Sequence, residues 1–369
     1  MSMLASASAS ARSNSKTVQN EHFFRYTSGR WLWDEEKHFQ ERYRKFNVEE
    51  LKRIGAESIG AKSCVSITKL DEGGYNKVFR LVMDNGSVDI ARIPCPNAGP
   101  PFKTTASEVA TMDFARTILN IPVPKVHAWS AVSDNPVEAE YILMEEACGT
   151  SLGDVWEGMG IHSKAKIVNE IVSIEQKLLS VSFSRYGNIY FAKDSFPGCE
   201  KAEVSGDISE ELKKEAEERF TIGPVVEHVF WRRDPKSMQM ERGPWKTADD
   251  YLNALANNQV IWLTQESPDA HIALYKKYLD ICPYILPKNE RMDHMRDAEG
   301  FNEQADFWDR LDGFIARGGW TSNERYEEAL EMFASIREEG LKQLTGEEKS
   351  DFEKQSRWAQ RSAEKTDDS

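Results

Sequence analysis

Between two β-rich runs the chain reads Glu72-Gly73-Gly74-Tyr75-Asn76, and paired glycines there let backbone N–H groups come close to a phosphate. The same pair is also what a plain hairpin needs. Arg92 ends the third β-rich run, in Asp89-Ile90-Ala91-Arg92, and Glu108 falls in the first turn of the helix predicted next. A strand cation held by a helix carboxylate is a device that grips nucleotide phosphates in phosphoryl transfer. Arg92 has the rival role of an edge-strand side chain snorkelling to water, and Glu108 that of closing a capping box with Thr105. Further on, Tyr141-Ile142-Leu143-Met144-Glu145-Glu146 leads through a short polar connection into Gly149-Thr150-Ser151-Leu152. Extended backbone beside apolar walls suits an adenine ring, or serves as a linker between lobes with no ligand at all.

These residues need a frame, and hydrophobic periodicity supplies one. Asp34, Glu35 and Glu36 make an acidic first turn, followed by Phe39, Tyr43 and Phe46 at helical spacing. Asn47 with Glu50 resembles a capping box opening a second helix through Leu51 and Ile54. The period then changes. Ile67 to Leu70, Val78 to Met83 and Val88 to Ile93 predict three antiparallel strands, the last two joined by Asn85-Gly86, the pair favoured in a type I′ turn. Thr105 and Glu108 precede Val109, Met112, Ala115 and Leu119, the apolar face of one helix. Runs around Val126 to Trp129 and Tyr141 to Met144 complete a sheet of five strands. Beyond Gly149 the pattern is mostly helical: Ile167, Ile171, Ile174 and Leu178 mark a long buried face. Later helical candidates are Ala248 to Trp262, Ile272 to Leu279, Asp306 to Phe314, and Glu324 to Leu341 with Tyr326, Leu330 and Phe333 on one side.

Composition narrows the class. A net charge of −14 over 369 residues repels a polyphosphate backbone, so nucleic-acid binding is not expected. No apolar run is long enough to span a bilayer, and integral membrane association is not expected. Cysteines 64, 95, 148, 199 and 282 form no CxxC pair and no zinc-ligand spacing, which fits buried free thiols in a reducing compartment. From Met1 to Asn20 the chain is Ser- and Ala-rich, carries Arg12 and Lys16, and has no acidic residue. That composition fits a mitochondrial targeting segment, or else an ordinary disordered terminus.

The strand, glycine loop and strand in that order, Ala91-Arg92-Ile93, Glu108, and Leu143-Met144-Glu145 leading to Gly149-Thr150-Ser151-Leu152 together resemble the aminoglycoside phosphotransferase family. Within it, the run from Phe23 to Leu32, the run from Ile93 to Pro101, and Arg242-Gly243-Pro244-Trp245 resemble the fungal altered inheritance of mitochondria protein nine group. The likeness runs from about His22 to Pro287, and again from about Ala305 to Trp358. It implies an α+β, protein-kinase-like fold and transfer of the ATP γ-phosphoryl group to a small-molecule hydroxyl, with Mg²⁺ between the phosphates. It also implies H-x-D followed by Asn, and a second metal-holding Asp, after the helix ending near Leu286-Pro287. The chain departs here. None of its histidines, at 22, 38, 127, 162, 228, 271 and 294, is followed two positions later by Asp, and no Asp-Phe-Gly occurs. An internal deletion, by splicing or in the gene prediction, explains this more simply than drift of single residues. Asp293, Asp297 and Asp306 read as a solvated charged linker. Arg92 stands where kinases usually carry lysine, and the two contact phosphates differently.

The expected organisation is a targeting segment at 1–20, a helical annex at 21–62, a five-stranded antiparallel small lobe with one helix at 63–147, and an incomplete, mainly helical large lobe at 148–287. A junction at 288–304, a helical tail at 305–358 and a disordered end at 359–369 follow. The nucleotide-binding candidates are Gly73, Gly74, Tyr75, Asn76, Arg92, Glu108, Met144, Glu145 and Glu146, with no catalytic or metal residue. ATP is the expected ligand, Mg²⁺ lacks its ligands, and the chain is expected to be inactive as a kinase; a nucleotide- or partner-binding mitochondrial scaffold is the alternative. Residues 1–20 fused to a fluorescent reporter are expected to send it to mitochondria, and a diffuse cytosolic signal would remove the targeting segment from this account.

Overall fold

The computed structural model describes residues 20–231, 240–266, 311, 313–316 and 318–360. They fall into two units: one takes the described residues up to Arg44, Asp71–Tyr75 and those from 311 onward, and the other takes Lys45–Leu70 and those from Asn76 to 266. The expected annex is therefore divided after Arg44, while the described parts of 63–147 and 148–287 fall together except for Asp71–Tyr75.

In the larger unit, helix α1 (Val48–Ser58) opens as predicted, with Asn47 Oδ1 accepting from Glu50 N at 3.3 Å. Strands β1 (Cys64–Glu72), β2 (Asn76–Met83) and β3 (Val88–Pro94) follow. Helix α2 (Lys103–Thr117), β4 (Val126–Ser130) and β5 (Tyr141–Glu145) come next. The five strands make one sheet in the order β1-β2-β3-β5-β4, antiparallel at β2–β3, β3–β5 and β5–β4. Alternation explains β2: Phe79, Leu81 and Met83 point into the core while Asn76, Val78, Arg80 and Val82 are half-buried. Central β3 is buried on nearly every residue, so Ile90, Ala91 and Ile93 read as a continuous apolar run.

The β2–β3 connection is a hairpin, but not the type I′ turn predicted from Asn85-Gly86. Only Gly86 has positive φ, at 82°. Asn85 uses its side chain instead, its Oδ1 accepting from Ser87 N at 2.9 Å, and Gly86 N donates to Met83 O at 3.0 Å. A turn closed from Met83 to Gly86 with one left-handed glycine gives the three-residue hairpin rather than the two-residue one.

Past Gly149 helix outweighs strand among the described residues, as expected, but with short strands not predicted from the sequence. A short helix at Leu152–Val155 and α3 (Ile161–Leu179) lead into five strands: β6 (Val181–Phe183), β7 (Asn188–Phe191), β8 (Glu200–Lys201), β9 (Val204–Gly206) and, after α4 (Glu210–Arg219), β10 (Phe220–Gly223). β6 pairs with β9, and β7, β10 and β8 form a second antiparallel sheet in that order. Runs of two to four residues are too short to display a period of two. They hold because Phe220 and Ile222 are buried in one core with Phe114 and Ile118 beyond the sheet. Helix α5 (Ala248–Glu266) extends the predicted helix by one turn.

Two further expectations change. Helix α3 has no buried residue: Ile167 and Ile174 are half-buried and Ile171 and Leu178 exposed, so its apolar stripe is not the covered face predicted. Of the thiols, Cys95 is buried but Cys148 is exposed.

The smaller unit joins distant parts of the chain. Arg30–Trp31 pairs antiparallel with Trp320–Thr321, and Leu32 packs with Ile315, Tyr326, Ala329 and Leu330. The helix Glu35–Arg42 follows the predicted acidic turn, and Tyr326–Gln343 carries Tyr326, Leu330 and Phe333 toward one core as expected. Ala359, expected in a disordered end, is buried in a helical turn. Residues 1–19, Ile272 to Leu279, most of Asp306 to Phe314, the junction 288–304 and 361–369 lie outside the described residues.

Gly86→Ala tests the hairpin. A Cβ there meets nothing within 4 Å, so the cost is conformational alone. Urea unfolding is expected to show a loss of about 1 kcal/mol, and an unchanged midpoint would contradict the left-handed turn.

Candidate functional site

Arg92 sits on β3 opposite Val78 and Ile142, and Glu108 projects from α2. The structure brings them together: Arg92 Nη1 forms an ion pair with Glu108 Oε1, with side chains 28% and 27% exposed. Burial holds the guanidinium below its ordinary pKa, yet a group that starts so far above neutral stays charged.

The rival role of Glu108 as a capping partner fails on geometry. Helix α2 begins at Lys103, after Phe102 at φ 68°, so Thr105 already lies inside it and Glu108 falls in the second turn, not the first. The Thr105 hydroxyl donates instead to Glu140 Oε2 at 2.6 Å, and Phe102 N donates to Glu140 Oε1 at 3.2 Å. Glu140 is thus a positioning residue that sequence reasoning missed, because it lies in an irregular stretch with no period to announce it. Its carboxylate serves the start of α2 and leaves Glu108 to Arg92.

The glycine loop belongs to the smaller unit. Glu72 is buried and accepts from Thr27 Oγ1 at 2.6 Å, from Thr27 N, and from Ser28 Oγ at 3.3 Å. Neither Gly73 nor Gly74 has positive φ, and a Cβ on either meets nothing within 4 Å. The fold therefore does not itself demand glycine at these positions. Tyr75 is exposed, and Asn76 is the first residue of β2.

The hinge residues are held by the chain itself. Met144 lies opposite Ile90 and Val126 and is half-buried. Glu145 N donates to Lys125 O at 2.9 Å, Lys125 N donates back to Glu145 Oε2 at 3.1 Å, and Arg116 lies 3.6 Å from the same carboxylate. Glu146 receives a two-pronged contact from Arg80, Nε at 2.6 Å and Nη2 at 3.0 Å, which lowers its carboxyl pKa. These side chains fasten the hinge to β2 and to the entry of β4. Lys125 takes the Glu145 N–H, so that donor of the extended stretch is not offered to a ligand.

No family model matches the sequence, and no solved structure matches it. The chain is 43% identical over 185 residues to a subtelomeric hrmA-associated cluster protein of Aspergillus fumigatus, an alignment covering 50% of this chain and 34% of that protein. It is 31% identical over 295 residues to altered inheritance of mitochondria protein 9 of Yarrowia lipolytica, covering 73% of this chain and 51% of that protein. The protein of the same name in Saccharomyces cerevisiae is 28% identical over 288 residues, covering 63% and 46%. The chain thus spans about half or less of the length of these curated relatives. The two latter names carry the designation mitochondrial, which supports the mitochondrial location expected from the sequence. No helix among the described residues is long and apolar enough to cross a membrane.

The ion pair is open to a double-mutant cycle. Arg92→Met and Glu108→Gln, alone and together, are expected to show a coupling of about 1–2 kcal/mol in urea unfolding. Additive effects would mean that the two side chains do not depend on each other.

Proposed function

We propose that this chain is a kinase-like relative of the fungal altered inheritance of mitochondria protein 9 group that binds adenine nucleotide weakly and transfers no phosphate. The observation that carries the reading is the Arg92–Glu108 ion pair, which joins the centre of a five-stranded sheet to the only helix inserted in it between β3 and β4. A guanidinium pinned by a helix carboxylate keeps donors free on its far side for phosphate oxygens and holds them in a fixed plane. An adenine ring would rest on the apolar flank of the hinge at Met144 to Glu146, which is fixed to β2 and β4 and has its Glu145 N–H already taken, so its hold is weak.

The site's own donors do not fit Mg²⁺. That ion needs near-octahedral oxygen ligands, and each nearby carboxylate already answers a cation: Glu108 to Arg92, Glu145 to Arg116 and Glu146 to Arg80. The sequence also lacks H-x-D and Asp-Phe-Gly, which removes the base and the metal holders together. Arg92 alone then meets the triphosphate, and the γ-phosphate adds little. ADP and ATP should bind alike.

Calorimetric titration of ATP and ADP with and without Mg²⁺, beside a phosphate-transfer assay, tests both halves. Weak, similar affinities unchanged by Mg²⁺ and lost in Arg92→Ala are expected, with no turnover. Turnover above a heat-inactivated control would show that another aspartate serves as base, and nucleotide binding unaffected by Arg92→Ala would remove the ion pair from the site.

A further inference from the structure

A cleft of about 600 Å³ opens between α2, the entry of β4, the end of β7 and the end of α4, and neither Arg92, Glu108 nor the hinge lines it. Its size is that of a pocket for one small molecule, for which roughly 300–1,000 Å³ is usual. Its apolar wall includes Trp129 and Phe191, whose rings lie 6.2 Å apart at 31°.

Its charge runs against that of the chain. Arg116, Lys125, Lys193 and Arg219 line it against Asp113 and Glu218, four cations to two carboxylates, in a protein of net charge −14. Arg219 is already held by Asp113 and Glu215, and Arg116 donates to Val123 O and lies near Glu145. Lys125 and Lys193 have no carboxylate partner among the described residues; the Lys193 ammonium lies 5.3 Å from the centre of the Phe191 ring. Two such lysines beside an apolar wall draw an anion that also brings apolar surface.

His127 also lines the cleft. Its Nδ1 lies 3.1 Å from Oδ1 of Asp89, a fully buried carboxyl that also accepts from Ser58 Oγ at 3.2 Å. Neither Asp89 nor Ser58 lines the cleft, so this pair anchors β4 at the cleft's edge.

We propose that this cleft binds a small organic anion, a flat apolar body carrying one carboxylate or phosphate group. The body lies against Trp129 and Phe191, and the anion meets Lys125 and Lys193. The inference is independent of nucleotide binding at Arg92.

Calorimetry on the full chain tests it with phenyl phosphate and benzoate as probes, which separate the two anion types. Inorganic phosphate serves as an anion without a ring, and benzyl alcohol as a ring without an anion. Saturable one-to-one binding of phenyl phosphate or benzoate is expected, about tenfold or more tighter than either control. Lys125→Glu with Lys193→Glu, two surface changes, should weaken it by about tenfold with an unchanged melting temperature, while Arg92→Ala leaves it intact. Absence of saturable binding, benzyl alcohol binding as tightly as the anions, or full affinity in the charge-reversed variant would each overturn the proposal.

Discussion

A charged guanidinium three-quarters removed from water must be paired, and the pairing of Arg92 with Glu108 sets the terms for the elements around it. Arg92 is placed by the β2–β3–β5 register, so Glu108 has to come to it. Helix α2 begins at Lys103 rather than at a Thr105 cap, and its start draws on another acceptor. Glu140, reaching back from the approach to β5, is that acceptor. One carboxylate thus pairs with the strand cation, and a second serves the start of the helix.

The same economy of charge runs through the sheet. Arg80 holds Glu146 at the end of the hinge, Arg116 and the Lys125 backbone hold Glu145, and His127 with Ser58 holds buried Asp89. Each of these three carboxylates is matched inside the larger unit, which fastens the sheet and leaves their oxygens engaged rather than offered to a metal. Lys125 and Lys193 stand outside this matching, and that is what makes the cleft beside them distinctive.

The elements most legible in the sequence were those with long, regular periods. The five strands, α1 with its Asn47 cap, α2, and the helix carrying Tyr326 and Leu330 all fall close to where periodicity puts them. What escaped was held by tertiary contact rather than by local pattern. β6 to β10 are too short to alternate, and only the core around Phe114 and Phe220 keeps them. The spacing of the α3 stripe predicts a buried face that the structure does not show, because spacing cannot say whether a partner surface exists. Arg92 and Glu108 were legible as residue types in the right order; Glu140 and the Asp89–His127 pair were not, because their partners lie about forty residues away, in loops or on other strands.

The central claim is that the ion pair between β3 and α2 is where nucleotide phosphate is held. Hydrogen–deuterium exchange on the full chain, with and without saturating ATP and no Mg²⁺, addresses this most directly. The account predicts slowed exchange at residues 91–94 and 106–110 and at the hinge, and none of it in Arg92→Ala. Protection absent from these segments while ATP is bound elsewhere, for instance at residues 124–129 and 191–193, would contradict it.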